Sequence, residues 1–119
     1  LRKLPNGIDL MLADKLGKFI RALHDKGIYF RSLHLGNIVL TPENQLGLID
    51  ISDMKIYRKP LTEELRLRNF QHSARYQEDI KQISLHVKSF AGGYTSKPDS
   101  PLSKGNLTKI FSIKEPEPS

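Results

Sequence analysis

The sequence contains no cysteine, which excludes a disulfide framework and any thiolate metal site. That is compatible with a cytoplasmic setting. No apolar run approaches the roughly 18 residues that a membrane span requires, and the first residues lack the pattern of a secretory signal. The histidines at 24, 34, 72 and 86 show no HxxxH or comparable spacing, which argues against zinc. Tyr29, Tyr57, Tyr76 and Tyr94 are scattered and read as packing residues, not as a platform for stacking bases. There is no internal repeat. Apolar residues make up only 38% of the 119, little for a compact domain. Part of the chain is therefore expected to stay unpacked. The stretch from Thr95 onward, dominated by Pro, Ser, Lys and Gly, is the candidate, with only residues 107–113 apolar enough to form structure. The first residue is Leu1, so the chain reads as a piece of a longer protein.

What is present is a basic chain. The net charge of +6 divides as +2 over residues 1–50 (7 basic, 5 acidic), +3 over 51–76 (6 basic, 3 acidic) and +1 over 77–119 (6 basic, 5 acidic). The middle stretch holds Lys55, Arg58, Lys59, Arg66, Arg68 and Arg75. Such a bias suits phosphates, anionic lipid headgroups or nucleic acid. It equally suits a solvated helix face, because Glu63 and Glu64 sit within it.

Periodicity supplies the elements. Pro5-Asn6-Gly7 is turn punctuation. Asp9 can cap a helix whose apolar face is Leu12, Leu16, Phe19, Ile20 and Leu23, with Lys15, Lys18 and Arg21 on the other sides and Gly27 as the stop. A loop over residues 28–37 follows. Ile38-Val39-Leu40 and Leu46-Gly47-Leu48-Ile49 read as two strands joined by the turn Thr41-Pro42-Glu43-Asn44, where Asn44 tolerates left-handed backbone. Residues 51–61 read as irregular. Thr62 caps a second helix, with Glu63 and Glu64 at its positive end and Leu65, Leu67 and Phe70 for burial. A further helix is expected from about Ser73 to Ser89, with Tyr76, Ile80, Ile83 and Val87 on one face, ended by Ala91-Gly92-Gly93. The expected fold class is mainly α with a small β-hairpin.

The hairpin carries the chemistry. It sets Asn37 just before its first strand and Asp50 just after its second, so an amide and a carboxylate 13 residues apart should meet at one edge. Alone, Asp50 reads as a strand-end cap; its spacing from Asn37 turns the reading toward a metal site. Both offer the hard oxygen atoms that Mg²⁺ prefers. Phosphoryl transfer also uses an aspartate five residues before such an asparagine, and that position here is Ser32. Asp53 reads as a turn residue, with a spare metal ligand as the alternative.

The run Leu23-His24-Asp25-Lys26-Gly27-Ile28-Tyr29-Phe30-Arg31-Ser32-Leu33-His34-Leu35-Gly36-Asn37-Ile38-Val39-Leu40 resembles the catalytic-loop region of kinase-like phosphotransferases. It is most similar to the bacterial lipopolysaccharide core (Kdo and heptose) kinase family, and also to pseudomonad proteins described as toluene tolerance proteins. The family pattern is His-Arg-Asp-Leu-His-x-Gly-Asn, then a hairpin and Ile-Asp-Phe. This chain has Phe30-Arg31-Ser32-Leu33-His34-Leu35-Gly36-Asn37, then Leu48-Ile49-Asp50-Ile51.

The resemblance covers residues 9–94 and implies the C-terminal lobe of a protein-kinase-like fold. Residues 1–8 would then be a connector from an N-terminal lobe and 95–119 a flexible basic tail. It implies that Asn37 and Asp50 hold Mg²⁺ and, through it, ATP, and that Arg31 is the structural arginine of the loop. Phe30 replaces the family histidine and Ser32 the catalytic aspartate. A serine hydroxyl accepts no proton usefully at neutral pH but can orient a hydroxyl, and His34 is the candidate substitute; its other reading is a loop residue hydrogen-bonded to backbone. Ser32, Arg31 and His34 are thus the catalytic candidates. No Gly-rich loop, strand lysine or paired helix glutamate occurs, so the partner expected to complete the ATP site is the N-terminal lobe. The implied activity is transfer of the ATP γ-phosphate to a lipopolysaccharide core sugar at the cytoplasmic face of the inner membrane, with the anionic acceptor or membrane surface as partner. The rival is a pseudokinase acting as a binding or scaffold module. A basic nucleic-acid-binding fragment comes third, and nucleic acid is not the expected partner.

Overall fold

A computed structural model describes residues 1, 7–97 and 100–111 of the chain. It is mainly helical, with two small antiparallel strand pairs. The first helix, α1, runs Leu10–Asp25, and the Asp9 carboxylate accepts from the Leu12 N–H at 2.8 Å as the expected cap. Its inward face holds Ala13, Leu16, Gly17, Ile20, Arg21 and His24. Leu12, Phe19 and Leu23 flank that face and are half-buried. The burial of Arg21 corrects the expectation of a solvent-facing side chain. Its guanidinium is turned inward by the Asp25 carboxylate one turn on and by the Tyr94 carbonyl at 3.0 Å.

Gly27, at φ +79°, ends the helix and returns the chain into strand β1, Ile28–Phe30. β1 pairs antiparallel with β4, Met54–Ile56, in the register Ile28↔Ile56, Tyr29↔Lys55 and Phe30↔Met54. This pair replaces what the sequence suggests is loop before residue 37 and irregular chain over 51–61. Three-residue strands are too short to show a period. Between them lies the expected hairpin: β2, Ile38–Leu40, and β3, Leu46–Leu48, with Ile38 opposite Leu48. Asn44 has φ +62°, as the turn requires.

Helix α2 spans Glu63–Ser73, and Thr62 Oγ1 accepts from the Leu65 N–H at 3.2 Å. The single helix expected over 73–89 is instead two, α3 at Gln77–Ser84 and α4 at Val87–Tyr94, broken at Leu85 and His86. The Ala91-Gly92-Gly93 run lies inside α4 and does not end it. Close packing explains why: a Cβ at Gly93 would collide with the Asp14 carbonyl, and one at Gly17 with the Phe90 carbonyl. The two glycines let the backbones of α1 and α4 touch. The break after α3 frees α4 to lie along α1, the most extensive helix pairing in the chain.

The segment expected to be a flexible tail contributes the last helix, α5, at Lys104–Phe111. Leu102, Leu107 and Phe111 are buried in the main core. Phe70 stands at its centre. It meets Phe90, Phe111, Tyr94 and His24 edge-on, with ring centroids 5.1–6.0 Å apart. Each such pair contributes about 0.5–1.5 kcal/mol beyond burial. Of the expected connector, residues 2–6 lie outside the described residues; Ile8 is buried and its N–H donates to Gln82 Oε1 at 3.2 Å.

Candidate functional site

The hairpin register sets the end at which Asn37 and Asp50 lie. The Ile49 N–H donates to the Asn37 carbonyl at 2.9 Å, one step beyond the Ile38–Leu48 pair. Asn37 and Asp50 therefore lie at the same end of the ladder. Asn37 is almost buried, and its Nδ2 donates to the Ser32 carbonyl at 3.1 Å. The same nitrogen lies 3.2 Å from His34 Nε2, so both contacts to the loop fall on the Nδ2 side of the amide. Among the described residues Oδ1 accepts no hydrogen bond. Asp50 is exposed and has φ +58°, one of two non-glycine residues in the left-handed region among the described residues. The other is the turn residue Asn44; Asp50 leads into the turn that the Met54 N–H closes on the Ile51 carbonyl. Backbone held in a sparsely populated region clusters at functional sites. Its carboxylate has no hydrogen-bond or ion-pair partner among the described residues.

Ser32 donates its hydroxyl proton to Asp53 Oδ2. The position that lacks the aspartate is thus joined to a carboxylate from the turn before β4. The β1–β4 pair makes this possible, because Phe30 lies opposite Met54 and the residues beyond each strand face one another. Asp53 does lie in a turn, as the sequence suggests, but its bond to Ser32 is not legible there, and the missing signal is that same strand pair.

His34 is taken up locally. Its Nδ1 accepts the Gly36 N–H at 3.1 Å, capping the 3₁₀ turn Leu35–Asn37. Its ring lies 4.5 Å from that of Tyr76. With Nδ1 accepting from backbone, the ring holds the turn that carries Asn37, which fits its reading as a loop residue. Arg31 is exposed, and its charge is felt at His72 and Tyr29.

The loop is rigidly held from beneath. Asn69 Nδ2 donates to the Phe30 carbonyl at 2.7 Å, Ser73 Oγ donates to the Leu33 carbonyl, and the Leu35 N–H donates to Asp79 Oδ2 at 2.9 Å. Asn69 is in turn fixed by His24, which is fully buried, through Nε2 and Oδ1 at 2.9 Å. Since Asn69 Oδ1 can only accept, Nε2 carries the proton, and Nδ1 accepts from the Tyr94 hydroxyl at 2.6 Å. Arg66 donates to that hydroxyl at 3.2 Å and to Asp25 at 3.1 Å. No buried side-chain nitrogen or oxygen among the described residues lacks a partner. Burial lowers the His24 pKa to about 4, with Arg66 and Arg21 adding to the effect against the bond from Asn69. Burial lifts the Tyr94 hydroxyl to about 12, against the pull of Arg66. Burial alone would raise Asp25, but its bonds to Arg21 and Arg66 hold it below the usual carboxylate range. The sequence signal for His24 was available: it continues the i, i+4 series Leu16, Ile20.

The site therefore offers two hard oxygen donors, Asn37 Oδ1 and Asp50, beside a hydroxyl–carboxylate pair, Ser32 and Asp53. Among the described residues no group of three or more His, Cys, Asp or Glu side chains could form a metal cage. A two-ligand arrangement still fits Mg²⁺, which keeps several waters and takes substrate phosphates for the rest of its shell. No helix among the described residues is long and apolar enough to cross a membrane. Comparisons of the chain with protein-family models, with curated proteins and with solved structures found no match in any of the three.

Proposed function

We propose that this chain is the C-terminal lobe of a kinase-like phosphotransferase, acting on a sugar hydroxyl of the lipopolysaccharide core. The supporting observation is the placement of Asn37, Asp50 and the Ser32–Asp53 pair about one end of a hairpin, with Asn37 Oδ1 accepting no hydrogen bond among the described residues. Asn37 Oδ1 and Asp50 would hold Mg²⁺, which when bound neutralises the nucleotide phosphates and aligns them. The chain's own residues supply the acceptor side. The acceptor oxygen forms a bond to the γ-phosphorus as the bond to the bridging oxygen breaks and ADP leaves. The acceptor's proton passes to Ser32 Oγ, whose own proton goes to Asp53. Phosphoryl transfer depends chiefly on positioning and charge neutralisation, so a relayed carboxylate suffices. The N-terminal lobe implied by the family resemblance would cradle the nucleotide, and the basic 55–75 stretch would face an anionic acceptor or membrane surface.

Transfer of labelled γ-phosphate from ATP to lipopolysaccharide core by the intact protein tests this reading. Asp50→Ala should abolish transfer, and a signal that survives it sinks the assigned role. Asp53→Asn should lower the rate by about a hundredfold, the usual worth of a positioned base.

Ser32 itself favours a second reading, a pseudokinase that keeps the fold as a binding or scaffold module. Ser32→Asp separates the two. A rate gain marks a weakened enzyme. No transfer from either form, with the fold intact, marks the scaffold.

A further inference from the structure

We propose that Arg31, Arg68, His72 and Arg75 form a binding site for a phosphomonoester dianion where the outer face of α2 and the turn after it meet the loop that follows β1. The site is separate from the Asn37–Asp50 edge and stands whether or not the chain transfers phosphate.

Helix geometry gives two of the four: Arg68 and His72, at i and i+4, share one face of α2. Arg75 lies in the turn just past the helix, where its N–H donates to the His72 carbonyl at 3.3 Å. The opposite face, Arg66, Asn69, Phe70 and Ser73, is buried. The helix thus separates its cations. Arg66 is neutralised inside by Asp25, while Arg68 pairs outside with the largely exposed Glu64 at 3.3 Å and, among the described residues, Arg31 and Arg75 form no ion pair.

The fourth comes from the loop. Asn69 grips the Phe30 carbonyl and Ser73 grips the Leu33 carbonyl, so residues 30–33 lie along α2 over 69–73. Arg31 falls between the two anchors, exposed, beside the outer row. All three guanidiniums act on the His72 imidazole; burial and their charges together lower its pKa. Arg68 and Arg31 also act on the neighbouring Tyr29 hydroxyl.

Fixing three like charges around one imidazole costs free energy in the empty protein. A bound dianion removes that cost. Arginine forks match the oxygens of a phosphate, two at a time, better than any single carboxylate. Arg31, Arg68 and Arg75 all act on the one His72 imidazole, a local cluster that suits one phosphate group better than a nucleic acid strand. The outward positions Glu64, Arg68, Gln71, His72 and Arg75 contain no apolar side chain that could enter a bilayer.

The test follows the His72 ring proton by NMR in the whole chain, with inorganic phosphate and with glucose 6-phosphate, against sodium chloride at equal ionic strength. Both phosphates should raise the His72 pKa, because the dianion screens Arg31, Arg68 and Arg75. The tighter of the two tells whether the natural ligand is free phosphate or an ester. Arg31→Lys and Arg75→Lys keep the charge and lose the fork, and each should weaken binding about tenfold with an unchanged amide spectrum. Equal shifts with chloride, or lysine variants that bind as well as the parent, overturn the proposal in favour of a diffuse basic surface. Binding of an oligonucleotide or of anionic vesicles more tightly than either phosphate overturns it likewise.

Discussion

Asn69 satisfies two buried groups at once, the His24 Nε2–H and the Phe30 carbonyl. Asn69→Ala leaves both without partners in a place water does not reach. Each buried group so orphaned costs about 1–3 kcal/mol, so urea denaturation should show a loss of several kcal/mol, well beyond that of an ordinary surface change. Ser84→Ala, whose hydroxyl only bonds the Lys81 carbonyl at the surface, is the control and should change little. His24 adds a pH dependence. Its folded pKa of about 4 lies below the ordinary 6.5, so between those values the unfolded chain binds the extra proton. Stability is thus fully present above pH 6.5 and is lost as pH falls toward 4. The span corresponds to roughly 3 kcal/mol. Asp25, held low by Arg21 and Arg66 against its own burial, extends the loss further into acid. Thermal melts at pH 7, 5.5 and 4.5 should show Tm falling throughout. A flat Tm over that range would mean that His24 titrates normally.

At the scale of elements, the contact between α1 and α4 depends on two glycines. Gly93→Ala must push α4 off the Asp14 carbonyl, and overpacking of this kind costs about 1–3 kcal/mol. Gly92→Ala, one residue earlier, meets nothing within 4 Å and should stabilise slightly or leave stability unchanged. The difference between their urea midpoints measures the helix contact directly. Helix α5 can be tested the same way. Phe111→Ala removes a ring that stacks edge-on with Phe70 and Phe90, and should cost about 3–5 kcal/mol. These elements also show what the sequence can and cannot disclose. α1, α2 and the β2–β3 hairpin were legible because each carries its own signals: the caps Asp9 and Thr62, and a turn with Asn44. The β1–β4 pair was not, since three residues show no alternation and the partner lies 26 residues away. The split between α3 and α4 was not, because the apolar spacing runs through Leu85 and His86 unbroken. α5 was legible only in part: the apolar patch from Leu107 stands out as able to form structure, but Lys, Gly, Asn and Thr around it conceal that it docks into the core. The site divides in the same way. Asn37 and Asp50 follow from a local hairpin, whereas Asp53 depends on the non-local strand pair.

At the scale of the whole molecule, the core joins the two ends of the described chain. Phe70 from the middle touches Phe90 and Phe111 from the end and His24 from the beginning. Removing α5 should therefore loosen the whole protein, not only its terminus. A chain truncated after Ser100 is expected to lose cooperative unfolding, with broad near-UV dichroism changes in place of one transition. A sharp transition at the parent midpoint would show α5 to be dispensable.

The three bonds that hold the loop consist of Asn69 to residue 30, Ser73 to residue 33 and Asp79 to residue 35, at separations of 39, 40 and 44 residues. The hairpin that carries Asn37 spans only 11 residues between its outer strand ends. Contacts of short range form early, and contacts across long loops form after the entropy of closure has been met. The two halves of the site should consequently mature at different times. A nascent chain that has emerged as far as Pro60 can already close the hairpin, yet the segment bearing Ser32 stays slack until α2 and α3 arrive to clasp it. Loosening that clasp, as in Asn69→Ala, should then accelerate unfolding while leaving the refolding rate nearly unchanged.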